Sequence, residues 1–583
     1  MLFASLVAVF ERIEHQSSRL EMMRELSELF LQSSPHEAQI ISYLSLGVLY
    51  PVFISTAFNL AQKTLSPVLQ EFSGVSHAEW ASNLEFSGDL GSTFERSSGL
   101  LGGGELTVVE AYDALVEIEK VTGNGSKEKK IALLLALLSK CSKLEAKFIV
   151  RIIVGVLRLG FSEITIIDAL SWMLVGNKSH TSNIEAAFNV CADIGLVTYQ
   201  LKTFGLAGIE HLSVTPGVPV RPAAAERMNS PEDIFNKLGV CYSQPKLDGF
   251  RLQVHKYVDE EGVTQVTFFS RNLQEKSDVF PELTASVKKL SAESFIAEGE
   301  AITYDVNTGI FLPFQETAKR GRKNLDQSVV DDFPLKLFLF DVLYLNGTSL
   351  LDLSHEQRRK VLTSFLDGGD GTVLAIGETR CESAHDVDLA FTQALSEGLE
   401  GVVIKKGDTP YTPGKRNFNW IKLKRKETGE LNDTLDCVIL GYYWGQGHRS
   451  SLGIGAVLLG VYNNKTDCFE SIARCGSGPT ESEWRSLKQQ CDARKIHACP
   501  QDVLIAHEHT PDVWVDPVVV VAVRADELTR SPLHRAGKSE TSLGFALRFP
   551  RIMDYRFDKS AHDATTVVEV VRLCELQNKK FSA

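Results

Sequence analysis

Apolar residues recur at helical spacing along the first third of the chain. Leu6, Val9, Phe10 and Ile13 mark one face of a helix, and the same period returns from Ile131 to Leu144. Proline and β-branched alternation are scarce up to about residue 210, so the pattern predicts an all-α domain over residues 1–211. Gly102-Gly103-Gly104 divides it into two subregions. The apolar stretch Ile40 to Leu60 is broken by Ser42, Ser45, Pro51 and Ser55, which predicts a pair of core helices, not a membrane span. Met1 to Phe10 is also apolar. Glu11 and Arg12 follow at once, with no leading basic region, so it reads as the start of an amphipathic helix and not a signal peptide.

The texture changes after Thr215-Pro216-Gly217-Val218-Pro219-Val220-Arg221-Pro222, which reads as a linker or edge segment. Short β-like runs follow: Leu252 to Tyr257, Val263 to Ser270, Phe295 to Tyr304, Leu335 to Leu345 and Gly401 to Lys405. Helical stretches, His355 to Leu366 and His385 to Ser396, lie between them. A mixed α+β domain is predicted over residues 212–430. From Leu435 onward short strands dominate: Cys437 to Trp444, Gly455 to Tyr462, Ser471 to Cys475 and Val518 to Ala525. That spacing suits a small β-barrel of the OB-fold type over residues 431–583.

Composition narrows the class only a little. At 44% hydrophobic and 23% charged, the chain is an ordinary soluble protein. The cysteines are scattered with no CxxC pair, which speaks against a structural zinc site and points to a reducing, cytoplasmic interior. A net charge of −13 argues against nucleic acid as a partner unless basic residues cluster on one face, because a surface field is local. They do cluster. Lys319-Arg320-Gly321-Arg322-Lys323 follows Pro313-Phe314-Gln315. Lys415, Arg416, Lys422, Lys424, Arg425 and Lys426 crowd one segment, and Arg548-Phe549-Pro550-Arg551 precedes Asp558-Lys559.

The chemistry centres on Lys246-Leu247-Asp248-Gly249-Phe250-Arg251. Pro245 and Gly249 bracket the lysine, which predicts a strand end or turn. A lysine becomes a nucleophile when burial or neighbouring cations weaken its hold on the proton. An ion-paired surface turn is the plainer reading of these six residues taken alone. Downstream, Glu298 and Glu300 alternate in Phe295 to Ala301 and so share a strand face, which suits a magnesium site or a ribose contact, or simply a solvated face. Phe340 could stack on a base or belong to the core. Glu400 stands at the mouth of an apolar strand with Lys405 at its far end. Lys422 and Lys424 share one face while Ile421 and Leu423 take the other.

In this order the pieces resemble the motifs of ATP-dependent DNA ligases of the covalent nucleotidyltransferase superfamily. The resemblance rests on the Lys246 hexapeptide, Ser270-Arg271, the strand ending in Glu300, Phe340-Asp341, Glu400-Gly401 to Lys405, Trp420 to Lys424, and Arg548-Phe549-Pro550-Arg551. The helical third resembles the DNA-binding domain of the archaeal and eukaryotic replicative type, including Phe10-Glu11-Arg12-Ile13-Glu14 and Ser18-Arg19-Leu20. The resemblance implies a DNA-binding domain, an adenylation domain and an OB-fold. It implies that Lys246 carries AMP as a phosphoramidate, and that Gln244, Arg251, Arg271, Glu300, Phe340, Arg416 and Lys422 bind ATP. Lys405, Lys424, Arg548, Arg551 and Lys559 would add phosphate contacts. Glu300 and Glu400 would hold Mg2+, with Glu300 reaching the ribose as the alternative. Gln244 departs from the family, which usually carries a glutamate there against adenine. An amide can still hydrogen-bond a base edge, and the sequence leaves the preference among ATP, ADP and GTP open.

The implied partner is nicked double-stranded DNA, bound by a monomer in replication, repair and recombination, in a prokaryotic cytoplasm with no membrane. A sliding clamp is a possible further partner, although no clamp-binding peptide is recognisable. Arg548, Arg551 and Lys559 could reach pyrophosphate only by closure about a hinge near Thr428 to Thr434. Lysine adenylation by Arg548→Ala should therefore be slower than in the parent, and equal rates in a single-turnover assay would remove the closure step. An RNA ligase or an mRNA capping guanylyltransferase shares the lysine core but is not expected to carry the helical third. A NAD-dependent ligase would bring a cysteine tetrad. A non-enzymatic binding scaffold would have no need of Lys246, Glu300, Glu400 and Lys422 together.

Overall fold

Helix starts in the first part of the chain are set by local side chains. Ser34, Thr107 and Ser142 each accept from the backbone N–H three residues on, and Glu37, Glu110 and Glu145 reach back to the cap. Such reciprocal boxes satisfy donors that a helix end leaves orphaned. The computed structural model describes residues 1–99, 103, 105–304, 311, 317, 334–366, 369–397, 399–424, 434–445, 449, 452–539 and 542–579. These fall into two compact units, residues 1–425 and 426–583. The basic cluster 319–323, its neighbours 313–315, Arg425, Lys426 and hinge positions 428–433 lie outside the described residues.

Described helices run from Phe3–Glu14 to Ala207–Glu210. They share one core that includes Leu6, Phe10, Phe30, Leu44, Phe94, Leu115, Phe148 and Ile166. The helix Lys143–Val154 runs through it, with Ala146 to Ile153 buried, including Lys147 and Arg151. A buried guanidinium is tolerable only when it is paired. Arg151 donates to Glu14 at 2.8 and 2.9 Å and to Asp89 at 2.9 and 3.0 Å. Lys147 pairs with Glu11 at 2.6 Å and Glu14 at 2.9 Å. The charged residues of Phe10 to Glu14 thus bolt the first helix to this central one. At Gly91 an added Cβ would lie 2.5 Å from the Lys147 carbonyl oxygen, so only glycine lets the helix Leu90–Ser97 cross this close.

The stretch Ile40 to Leu60 corrects an expectation. It is one helix, Pro35–Leu44, followed by an irregular segment up to the next helix at Gln62, and not a helix pair. Gly47 has φ +73° and Pro51 lacks an N–H, so the helix cannot resume. Leu49, Phe58 and Leu60 are still buried. Backbone groups are satisfied from outside instead. Leu49 N–H donates to Thr56 Oγ1 and Ala57 N–H to Glu119, while Lys130 Nζ donates to the Phe58 carbonyl. The apolar pattern reported burial correctly and conformation incorrectly.

The α+β part holds two sheets. Strands β1 (Ala224–Arg227), β2 (Cys241–Lys246), β9 (Thr379–Cys381), β10 (Gly401–Lys406) and β11 (Arg416–Lys424) form one, in the order β1-β11-β10-β2-β9. The other contains β3 (Phe250–Val258), β4 (Thr264–Ser270), β5 (Phe295–Thr303), β6 (Leu335–Leu345) and β7 (Thr348–Ser349) in the order β4-β3-β5-β6-β7, with β8 (Val373–Ala375) on β6. Along β6, Leu335, Leu337 and Leu339 enter a core also built from Leu283, Val287 and Leu362 of two covering helices. Phe338 and Phe340 alternate to the opposite face. There Phe340 packs in a cluster with Tyr411 and Trp420 of the first sheet's side.

In the second unit β12 (Leu435–Tyr443) is buried along its whole length, with separate cores on its two faces. It lies in an eight-stranded sheet beside β13 (Ala456–Asn463), followed by β14 (Cys468–Cys475). The helix Glu481–Asp492 contributes Trp484, Leu487 and Cys491 to one core, and the helix Val567–Lys579 contributes Val567 and Val570. Strand-dominated patterning had not indicated these two helices. Among the described residues no helix is long and apolar enough to cross a membrane.

Candidate active site

Lys246 ends β2, as its flanking proline and glycine suggest. The turn that follows packs against β5. A Cβ on Gly249 would lie 2.2 Å from the Ala301 carbonyl oxygen, and the Gly249 N–H donates to Glu300 at 3.1 Å. Leu247 is buried beneath the turn and Asp248 is exposed. Lys246 pairs with Glu400, and Lys424 pairs with the same carboxylate. Sheet register explains the sharing. β10 runs between β2 and β11, and Gly401 stands opposite both Lys246 and Lys424. The residue just before it therefore sits between the two ammonium groups. Gly401 takes φ +144° with its Cβ position 2.2 Å from the Leu423 carbonyl oxygen, which only glycine allows. Burial works against charge on Glu400, but Lys246 and Lys424 outweigh it and hold the carboxyl below its usual range.

Lys422 projects from the same face of β11 as Lys424, while Ile421 and Leu423 are core. Burial lowers its ammonium pKa first, and Lys424, Arg416, Lys246 and Arg271 lower it further. These five cations therefore share one field. Arg416 and Arg271 are exposed, and Arg271 follows the end of β4. Arg251, on β3, donates to both oxygens of Glu298 at 3.1 and 3.0 Å and lies 5.4 Å from the Phe340 ring centroid. Glu298 is buried and also accepts from Tyr411 Oη at 2.8 Å. It shares a strand face with Glu300, yet its role is to brace Arg251.

Glu300 differs from Glu298 in having no bidentate cation. Burial raises its carboxyl to about 7, with Lys246, Arg251 and the Gly249 N–H opposing. A folded-state pKa above the usual value means that folding favours the proton, so stability is lost as pH rises through this range. Glu300→Gln should accordingly raise stability at pH 8 by about 1–3 kcal/mol and change it little at pH 5. Urea midpoints at the two pH values measure this, and an equal shift at both would refute it.

Lys405, expected as a phosphate contact, is only 1% exposed and is engaged by protein groups. Its Nζ donates to the Phe340 carbonyl at 2.9 Å, lies 3.5 Å from Asp341 and sits 4.1 Å from the Trp420 ring. Burial draws its ammonium down to about 8, with Asp341 opposing. Asp341 is itself fully buried and accepts from Arg358 at 2.7 and 3.2 Å. Burial pushes its carboxyl up, but Arg358 and Lys405 together hold it well below the carboxylate range. This trio holds β6 at the point where Phe340 presents its ring.

Gln244 shares the Lys246 face of β2 and is 2% exposed. Its Nε2 donates to Glu378 at 2.6 Å and approaches the Phe340 carbonyl at 3.5 Å. Glu378, Arg358 and Tyr411 had no sequence signal, because each acts through a partner far along the chain. Arg548, Arg551 and Lys559 belong to the second unit. Arg548 donates to Glu527 at 2.6 Å, Arg551 is exposed, and Lys559 donates to Asp436 at 2.6 Å beside Arg556. Among the described residues no three His, Cys, Asp or Glu side chains converge as a protein-only metal site.

The family description "DNA ligase N terminus" matches residues 2–171, "ATP dependent DNA ligase domain" matches 222–424, and "ATP dependent DNA ligase C terminal region" matches 450–559. A protein named probable DNA ligase from Dictyoglomus turgidum is 40% identical over 582 residues, covering 100% of this chain and 98% of its own. DNA ligase 2 of Thermofilum pendens is 35% identical over 596 residues, covering 99% and 98%. A solved structure titled Pmar-Lig_PreS3 shares the fold with a TM-score of 0.54 at 16% identity, covering 94% of this chain and 99% of that one.

Proposed function

Since the chain belongs to the ATP-dependent DNA ligase family, we propose that it seals nicks in double-stranded DNA through an AMP carried on Lys246. The observation that carries this reading is the setting of Lys246, a strand-end amine between two carboxylates and under a shared field of cations. Lys246 Nζ leaves Glu400, gives one proton to solvent, attacks the α-phosphorus of ATP and gives a second proton to solvent as the bond forms. A phosphorus–nitrogen bond forms, and the bond to the pyrophosphate oxygen breaks. Lys424 keeps Glu400 paired after Lys246 has lost its charge. Lys422, Arg416 and Arg271 offset phosphate charge, the main demand of phosphoryl transfer. Phe340, packed near Arg251, Lys405 and Trp420, would stack on the base. AMP then passes to the 5′-phosphate at the nick, and attack by the 3′-hydroxyl joins the strand and releases AMP.

Glu300 and Glu400 fit a magnesium ion, since both flank Lys246 and magnesium takes one or two carboxylates alongside water and phosphate. Bound there, it would supply positive charge to offset that of the phosphates. Glu300 can instead accept from a ribose hydroxyl. In the second unit, read as an OB-fold, Arg548, Arg551 and Lys559 are proposed phosphate contacts. DNA contacts should fall mainly on phosphates and the minor groove, with affinity dropping steeply in salt. Incubation with nicked duplex DNA, ATP and magnesium tests the proposal. Joining of the nick supports it, and joining of RNA ends alone would overturn it.

A further inference from the structure

Gln244 and Glu378 form a buried couple that the reaction steps above do not use. Glu378 is ringed by donors. Gln244 Nε2 lies 2.6 Å and His355 Nε2 2.8 Å from the same Glu378 oxygen, and Arg359 Nε lies 3.8 Å from the other. Burial works against charge on Glu378, but His355, Arg359 and Gln244 outweigh it and hold the carboxyl below its usual range. An ionised carboxylate only accepts hydrogen bonds, so the amide must present its nitrogen to Glu378. The second amide hydrogen faces the Phe340 carbonyl at 3.5 Å. What remains for a ligand is Oε1, a pure acceptor. Both hydrogen bonds of the Gln244 side chain to described residues are made by Nε2, which leaves Oε1 as the end not engaged by them. It lies on the Lys246 face of β2 and beside Phe340.

We infer that Glu378 is a positioning residue for base selection: by holding the Gln244 nitrogen it turns Oε1 toward the bound base as a fixed acceptor, so the site takes a purine with a 6-amino group and rejects one with a 6-oxo group. An unrestrained glutamine would not discriminate. Its oxygen and nitrogen are nearly the same size, and a half-turn of the amide would offer a donor to the 6-oxo group of guanine as readily as an acceptor to the 6-amino group of adenine. Glu378 closes off that half-turn. Selection is thereby written into a residue that need not touch the nucleotide. The inference rests on the reading of Lys246 as the adenylate carrier.

The test uses the full chain with magnesium and either α-labelled ATP or α-labelled GTP, reading label retained on the denatured protein. The parent should label with ATP at far lower concentration than with GTP. In Glu378→Met, which fills the space but cannot accept, the ATP-to-GTP ratio of kcat/KM should fall about tenfold or more. The change should appear in KM, with a smaller effect on the rate at saturating ATP. The exchanged pair Gln244→Glu/Glu378→Gln should regain the parental ratio, since a carboxylate at 244 is an acceptor in either orientation. A folded Glu378→Met with the parental ratio overturns the inference, as does an exchanged pair that fails to regain it. If Glu378→Met does not fold by circular dichroism, Glu378→Gln decides in its place, since an amide there can hold either end of the Gln244 side chain and should lower the ratio, and a parental ratio overturns the inference. A parent that labels with neither nucleotide overturns the reading of Lys246 and this inference with it. A parent that labels with ATP while Glu378→Met keeps its ratio overturns this inference alone.

Discussion

Lys246→Ala abolishes retention of label from α-labelled ATP and lowers nick joining by on the order of 10⁴-fold or more, because no other group can form the phosphoramidate. The variant should fold. Lys246 is a quarter exposed, and its partner Glu400 keeps Lys424 when Lys246 is removed, so the lost ion pair is worth roughly 0–1 kcal/mol. Lys246→Arg separates covalent chemistry from electrostatics. Arginine keeps the positive charge beside Glu400 but cannot shed its proton to become a nucleophile. It should be as inactive as the alanine variant in adenylation. Denaturing electrophoresis after incubation with labelled ATP and magnesium reads both. Label retained equally on parent and Lys246→Ala would end the assignment of the nucleophile.

Asp341→Ala should cost about 3–5 kcal/mol of stability at neutral pH, the typical result of removing one partner from a buried ion pair. The variant leaves Arg358 uncompensated in a site where it is 1% exposed, and it removes the acid that supports charge on Lys405. Asp341→Asn should lose a large part of the same amount, since the amide keeps the shape but not the charge. The sign of the pH dependence follows from the depressed Asp341 carboxyl. The contribution is fully present above the ordinary carboxylate range of about 4 and fades as pH falls below it. Parent and variant curves should therefore converge in acid. Urea unfolding at pH 7.5 and in acid checks this, and coincident midpoints at pH 7.5 would show that the trio carries no stability. The functional consequence is specific. β6 presents Phe340 one residue before Asp341, so loosening this anchor should weaken nucleotide binding more than it slows a saturated reaction.

Much of the site was legible because its chemistry is local in the chain. Lys246 sits between a proline and a glycine, and those two residues suffice to make a strand end. Glu298 with Glu300, and Lys422 with Lys424, were placed on common faces by the two-residue period of a strand, and the structure has them so. Legibility stopped where side chains of one type divide into different roles. Glu298 and Glu300 share a face, yet one braces Arg251 and the other lies open toward Lys246. Ile40 to Leu60 shows the same limit in the helical part, since burial could be read from apolar positions while conformation depended on Thr56, Glu119 and Lys130 capturing the backbone.

By itself, then, the sequence determined the helical first part and most strands of the α+β part, and it singled out the lysine and the cations proposed to act on phosphate, because strand and helix periods and turn residues act over a few positions. Only the tertiary structure decided who meets whom. Sheet register put Glu400 between Lys246 and Lys424, the packing of β6 against the first sheet enclosed Lys405, and Glu378 came to Gln244 across 134 residues. The physical reason is that the charge state and orientation of a side chain depend on its neighbours in space, and a strand's neighbours are set by register, which no single strand's sequence contains.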